Sequence, residues 1–522
     1  MTSTVSTAAI RAALINRQEI ALLDVREEGI YAEAHPLFAA SLPAGRIELE
    51  TFDRVPRLNT RVAVYDAGEG LAERAAARLR SLGYTDVSLL EGGLEGWRRA
   101  GGELFRDVNV PSKAFGELVE SRQHTPSLPA EELNRLLDSG ADLVVLDARR
   151  FDEYQTMSIP TGISVPGAEL VYRVGDIAPR AETMVVVNCA GRTRSIIGTQ
   201  SLVNAGIPNR VAALRNGTIG WKLAGLTLDH GQARRFPHVD SRNLDRAKVT
   251  ARSVADRASV GRIDRLRLTE WEGDRSRTVY RFDVRTPDEF VENHVAGFRS
   301  TPGGQLVQET DVYAPVRGAR IVLFDNHAVR ADMTGSWLAQ MGWDVHVLDG
   351  EVSKDDFASG PWHPNIASLP ASRTITPAEL DTMTTAGATL LDFATSVEYL
   401  RGHIPGAWFT PRTGLDRIIA SIPKTDQYVL TSSDSVLASF AAPEVATLTG
   451  SNVVVLAGGT EAWRGRPLEA GPTRLASPIA DVYKRPYEGT DNARFAMEAY
   501  LEWEFGLVAQ LERDGTHGFR VI

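Results

Sequence analysis

The chain has 522 residues, 43% hydrophobic and 24% charged, an ordinary globular composition with room for three or four domains. A formal net charge of −10 argues against a general nucleic-acid binder and against a protein held on anionic membranes. No apolar run approaches the ~18 residues of a spanning helix, and "MTSTVSTAAIRAALINRQEI" lacks the basic start and apolar block of a secretion signal.

In chain order, the same pattern returns four times. A strand ending in Asp precedes an acidic-aromatic segment in "ALLDVREEGIY" (21–31), "VVLDARRFDEY" (144–154), "YRFDVRTPDEF" (280–290) and "LLDFATSVEY" (390–399). A second apolar strand follows, reaching Asp66, Cys189, Asp325 and Ser432. The separation is 42 residues from Asp24 to Asp66, from Asp147 to Cys189 and from Asp283 to Asp325, and 40 from Asp392 to Ser432. Next come a helical segment and a third strand. Three copies then close on Gly-Gly or Asn-Gly and a tryptophan (Trp97, Trp221, Trp463), expected as core anchors; the third has lost it. Before the first Asp, "SLPAEELNRLL" and "TITPAELDTM" predict helix starts capped by Ser127 and Thr376. The Asp of each first strand is expected to close a turn or bond a loop backbone.

Short apolar strands alternating with helices predict an α/β fold, each copy a mostly parallel sheet flanked by helices. The expected domains are 1–115 (Asp66 at the cysteine position), 116–245 (Cys189), 246–365 (Asp325) and 366–475 (Ser432), then a C-terminal helical tail, 476–522. Segment 234–242 reads as a linker. In the tail, Phe495, Tyr500, Trp503 and Leu507 follow roughly helical spacing and predict an amphipathic helix. Packing on the chain's own domains or on a second subunit is expected, so a homodimer is one expected assembly. A docking face for an acceptor protein is the alternative.

Cys189 is the only cysteine, so no internal disulfide can form and a reducing, cytoplasmic setting is expected. It lies where a strand meets a helix N-terminus, in "VVVNCAGRTRSIIG". Inward backbone N–H groups and the helix dipole favour an anion there, and Arg192 and Arg194 add positive charge. The expected result is a thiol whose pKa is lowered into the nucleophile's range, with Gly191 easing the turn. The matching loops "DAGEGLA", "DNHAVRA" and "SSDSVLA" lack the sulfur; copy three keeps Arg330 at the place of Arg194.

The stretch "LDARRFDEY … VVVNCAGRTRS … NGTIGW" resembles the rhodanese family of sulfurtransferases, whose loop reads Cys-x4-Arg-Ser/Thr; the whole chain looks like four such domains in tandem. The resemblance implies a persulfide on Cys189, with Arg194 as its catalytic partner. It also implies a donor and sulfur site from Ala190, Gly191, Arg192, Thr193, Ser195 and Arg149. Asp147 and Arg149 match the family's Asp-x-Arg, expected as mainly architectural. Copy four keeps the family's "GHIPGA" (402–407), whereas copy two has "TMSIPTGISVPG". Expected partners are a small anionic sulfur donor, such as thiosulfate or glutathione persulfide, and a thiol or protein acceptor, with no nucleic acid and no membrane. No cofactor and no metal are expected. A phosphatase loop would be one residue longer, Cys-x5-Arg. The rival reading is a persulfide carrier or interaction platform without turnover. By the two-domain family pattern, copy one is expected to shape the pocket of copy two.

Overall fold

Strands that are apolar on both faces can be covered only by helices on both sides, and each copy builds such a three-layer unit. The computed structural model describes residues 3–522. In copy two the strands are β1 (Ser127–Leu128), β2 (Leu143–Asp147), β3 (Ile163–Ser164), β4 (Met184–Asn188) and β5 (Val211–Leu214). They pair in parallel in the order β1-β5-β4-β2-β3. The strand ending at the cysteine position is Val62–Tyr65 in copy one, Arg320–Phe324 in copy three and Gln427–Thr431 in copy four. Each occupies the same central place in its sheet. Such a strand is flanked on both edges, which is why it reads as an unbroken apolar run.

The register carries the site. Asp147 pairs opposite Asn188, and the Asn188 amide donates to Asp147 at 2.8 Å, so the two strand ends are tied together immediately before Cys189. Trp97, Trp221 and Trp463 are buried. Their indole N–H groups donate to the carbonyls of Glu103, Thr227 and Pro467, the satisfied core anchors expected of them. Thr376 caps its helix, accepting from the Glu379 N–H in a reciprocal box. The matching expectation for Ser127 does not hold. Ser127 lies in β1, and the helix Ala130–Asp138 begins behind Pro129 with no side-chain cap.

The chain forms two compact units. One holds copies one and four (residues to 9, 21–108 and 364–484); the other holds copies two and three and the tail (10–20, 109–363 and 485–522). Within the first, the Arg412 guanidinium of copy four clasps Glu48 of copy one at 2.7 and 2.9 Å. Within the second, the Trp337 indole of copy three donates to Ser201 of copy two at 2.9 Å. Two expected domain boundaries fall inside continuous helices: 115/116 cuts α1 (Val110–Gln123), and 245/246 cuts the helix Ser241–Arg257. Both helices serve two neighbours, so no loop marks the joint. The helices that matter for the site are α1, α2 (Thr193–Asn204), α3 (Gly217–Leu223) and α4 (Arg494–Phe505). The buried face of α4 is Met497, Tyr500, Leu501 and Glu504; Phe495, expected on it, is 76% exposed. Among the described residues no helix is long and apolar enough to cross a membrane.

Candidate active site

Cys189 follows the last residue of β4, and α2 begins four residues later. The carbonyls of Cys189 and Ala190 are taken up by the N–H groups of Thr218 and Ile219 at the start of α3, at 2.9 and 3.0 Å. That close approach explains the glycine before them. Gly217 has φ +54°, and a Cβ there would lie 2.3 Å from the Cys189 carbonyl oxygen. With its carbonyls held on α3, the loop wraps the sulfur against the start of α2. The Cys189 thiol donates to Ser195 Oγ at 3.4 Å, and that hydroxyl donates onward to the Arg192 carbonyl at 2.8 Å.

The sulfur-free copies show what this loop holds. In copy one the Asp66 carboxylate accepts from the N–H groups of Leu71 and Ala72, at 2.6 and 3.1 Å. In copy three Asp325 accepts from the Arg330 N–H at 2.8 Å. In copy four Ser432 Oγ accepts from the Ala438 N–H at 3.3 Å. The amides five or six residues on therefore face the side chain at the cysteine position. Two copies fill them with a carboxylate and one with a hydroxyl. Only copy two places sulfur there, where the Ser195 backbone N–H and hydroxyl both favour the thiolate.

The arginines divide. Arg194 makes a two-pronged ion pair with Glu153, at 2.7 and 2.8 Å. Burial alone would raise the Glu153 carboxyl, but the Arg194 guanidinium overcomes this and brings it down to about 2. Of the groups that favour the Cys189 thiolate, Arg194 is the strongest. Arg192, expected to hold the donor, turns to α1 instead. Its guanidinium binds Glu117 at 2.7 and 2.9 Å and also Glu120, and it stacks 4.3 Å from the Phe505 ring. Arg149 is likewise committed, to Asp147 at 2.7 and 2.8 Å and to the Met157 carbonyl at 2.6 Å. In this structure both arginines brace the loop; the reason is a carboxylate within reach of each. Thr193 and Arg194 line a cleft whose far wall is Gly303, Gly304, Thr334 and Trp337 of copy three. Copy three is thus the neighbour on this side of copy two.

The tail closes the other side. Ala190 packs in a buried cluster with Ile219, Tyr487, Met497, Tyr500 and Leu501. A Cβ on Gly191 would sit 3.2 Å from the Tyr500 ring and 3.5 Å from Glu504 Oε2, and Gly191 is not in the left-handed region. Glycine is needed there for the approach of α4, not for the turn as expected. Lys113 Nζ of α1 lies 5.4, 5.2 and 5.5 Å from the rings of Tyr487, Tyr500 and Trp503, a cation–π cage beside the loop. Sequence reading missed Lys113, Glu117 and Glu504. The clue available was the i, i+3, i+4, i+7 face 497-500-501-504. Substituting Gly191→Ala is expected to push Tyr500 off the loop and speed alkylation of Cys189 by iodoacetamide several-fold; an unchanged rate means the tail repacks around the methyl.

Cys189 is 2% exposed. Burial pushes its thiol above the usual value, against Arg194 and the Ser195 bonds, and the charge of Glu504 adds to the rise. The expected depressed thiol is thus reversed in this covered state. The cradle favours an anion, but removing the sulfur from water costs more.

A family model described as the rhodanese-like domain matches residues 7–100, 129–224, 272–354 and 376–466. The chain belongs to the rhodanese family of sulfurtransferases. It carries four rhodanese-like domains, of which only the second has a cysteine in the loop. The crystal structure of a thiosulfate sulfurtransferase from Pseudomonas aeruginosa is similar to it along the full length of both chains, with 60% identity and a TM-score of 0.98. A curated relative, the HTH-type transcriptional regulator Rv0324 of Mycobacterium tuberculosis, is 30% identical over 100 residues, which is 19% of this chain. The chain spans 43% of that regulator's length, about one rhodanese domain.

Proposed function

We propose that this rhodanese moves a sulfane sulfur from a small anionic donor, such as thiosulfate or glutathione persulfide, to a thiophilic acceptor through a persulfide on Cys189. The carrying observation is the contrast among the four loops: amides five or six residues on donate to the oxygens of Asp66, Asp325 and Ser432, and in copy two alone the Ser195 N–H faces sulfur. Full-length similarity to a thiosulfate sulfurtransferase supports thiosulfate as donor. The single cysteine supports a reducing, cytoplasmic setting.

The Cys189 thiolate attacks the outer sulfur of the donor. For thiosulfate, the sulfur–sulfur bond breaks and sulfite departs with its electron pair. The Ser195 N–H and hydroxyl and the Arg194 charge stabilise the anion before attack and the persulfide after it. Arg192 and Arg149 hold the loop in shape through Glu117 and Asp147. The acceptor then takes the outer sulfur, completing a ping-pong cycle. Incubation with thiosulfate or glutathione persulfide is expected to add about 32 Da, one sulfur, to the peptide holding Cys189. An unmodified Cys189 with a modified protein elsewhere overturns the reading.

One observation favours a second reading, a persulfide carrier without turnover: the thiol is buried and α4 packs on its loop at Ala190 and Gly191. Many acceptor products formed per Cys189 exclude it; a single stoichiometric burst supports it.

A further inference from the structure

When the acceptor is a thiol, the transfer above leaves one proton without a destination. Glu504 stands against the cysteine loop, beside Gly191. It is buried, its Oε1 accepts from the Tyr500 hydroxyl at 2.8 Å, and its Oε2 has no hydrogen-bond partner among the described residues. That unpartnered oxygen lies 3.5 Å from where a Cβ on Gly191 would stand, against the cysteine loop, and its charge is felt at Cys189. A fully buried carboxylate oxygen left without a donor is costly for a purely structural group.

We infer that Glu504 is the base of the acceptor half-reaction, taking the proton of an incoming thiol as its sulfur attacks the outer sulfur of the Cys189 persulfide. The acceptor S–H bond and the Cys189 sulfur–sulfur bond break, and a new sulfur–sulfur bond joins acceptor and outer sulfur. The proton goes to the Glu504 carboxylate, and the electron pair of the old bond leaves on Cys189 as thiolate. One thiol and one persulfide become one persulfide and one thiolate, so no external oxidant or reductant is required. This inference rests on the Cys189 reading above.

The charged groups facing Glu504 are Lys113 and Glu117 from α1 and Arg192 from the loop, with Tyr500 from its own helix. Burial, then the Glu117 charge, push the carboxyl up to about 8, against Lys113, Tyr500 and Arg192. A base of that strength suits thiol deprotonation near neutral pH. The raised value also has a stability consequence. The folded protein holds this proton more tightly than the unfolded chain, so its contribution is full below about 4.5 and is lost as pH rises through about 8.

The test compares Glu504→Gln and Glu504→Asp with wild type, using a series of small thiols of rising pKa and sulfite, an acceptor that brings no S–H. For Glu504→Gln the rate ratio of the least acidic thiol to sulfite is expected to fall about 10²-fold, with the deficit growing along the thiol series. Glu504→Asp is expected to restore part of it, which a packing defect would not do. A second readout is thermal melting: the wild-type decline between pH 6 and 9 should be shallower in Glu504→Gln. A ratio that falls tenfold or more sustains the inference; a smaller change overturns it. Mass gain on Cys189 is scored separately. Its absence sinks the persulfide itself, and its presence with an unaffected ratio sinks only the role of Glu504.

Discussion

Cys189→Ser is expected to abolish sulfur transfer while leaving the fold intact. The hydroxyl is too poor a nucleophile and leaving group to accept and release a sulfane sulfur, and the chain has no other cysteine to substitute. Copy four shows that the loop accommodates this residue, since Ser432 sits there and accepts from Ala438 N–H. Melting temperature should therefore stay close to wild type. The check is turnover with thiosulfate and a cyanide acceptor, together with intact mass after donor exposure. Retained turnover would remove the persulfide from the mechanism.

The second large effect comes from a matched pair, Arg194→Ala and Arg330→Ala. Arg330 is completely buried and binds Asp325, Glu289 and, across from copy two, Glu169. Removing it takes the only guanidinium from buried Asp325 and one partner each from Glu289 and Glu169, which keep Thr286 and Arg173; a loss of about 3–5 kcal/mol is expected, read as a large drop in melting temperature. Transfer per folded molecule should survive, because copy three has no cysteine. Arg194 occupies the same place in copy two, with Glu153 as its partner. Its loss is expected to cost about 10²-fold in kcat/KM for an anionic donor, beyond any loss of stability. The pair also sets acid behaviour. Glu153 is held at about 2 against an ordinary 4.5, so its contribution is present above 4.5 and lost as pH falls through about 2. Arg194→Ala should remove that acid tolerance. Equal kinetic effects from both variants would mean Arg194 acts on the fold alone.

The repeat was legible because each copy spends its residues the same way: a buried strand, an Asp at its end, and 40 to 42 residues later the loop. The strands were readable from composition alone, since a sheet covered on both faces tolerates little but aliphatic side chains. The cysteine loop was legible because its parts are adjacent in the chain. What lay hidden were contacts between distant segments. Nothing in "CAGRTRS" says that Arg192 meets Glu117 on α1, nor that copy three walls the cleft at Gly303. Gly191 was read as a turn residue because the helix it accommodates starts at Arg494, some 300 residues on. The tail's helical period was visible, but its face was misjudged by including Phe495. At 100° per residue, 497, 500, 501 and 504 share one side and 495 does not. The expected boundaries near 115 and 245 fall inside helices because each helix packs on two neighbours; Gly116, at the middle of the first, is a helical glycine against Thr193 and not a turn.

The covering of Cys189 by residues from the far end of the chain orders events during synthesis. Copy two emerges from the ribosome with its loop bare, and α4 is made some 300 residues later. Until then the thiol has no roof, and the nascent protein is open to oxidation or premature persulfidation. Making α4 is thus also the step that shields its reactive sulfur.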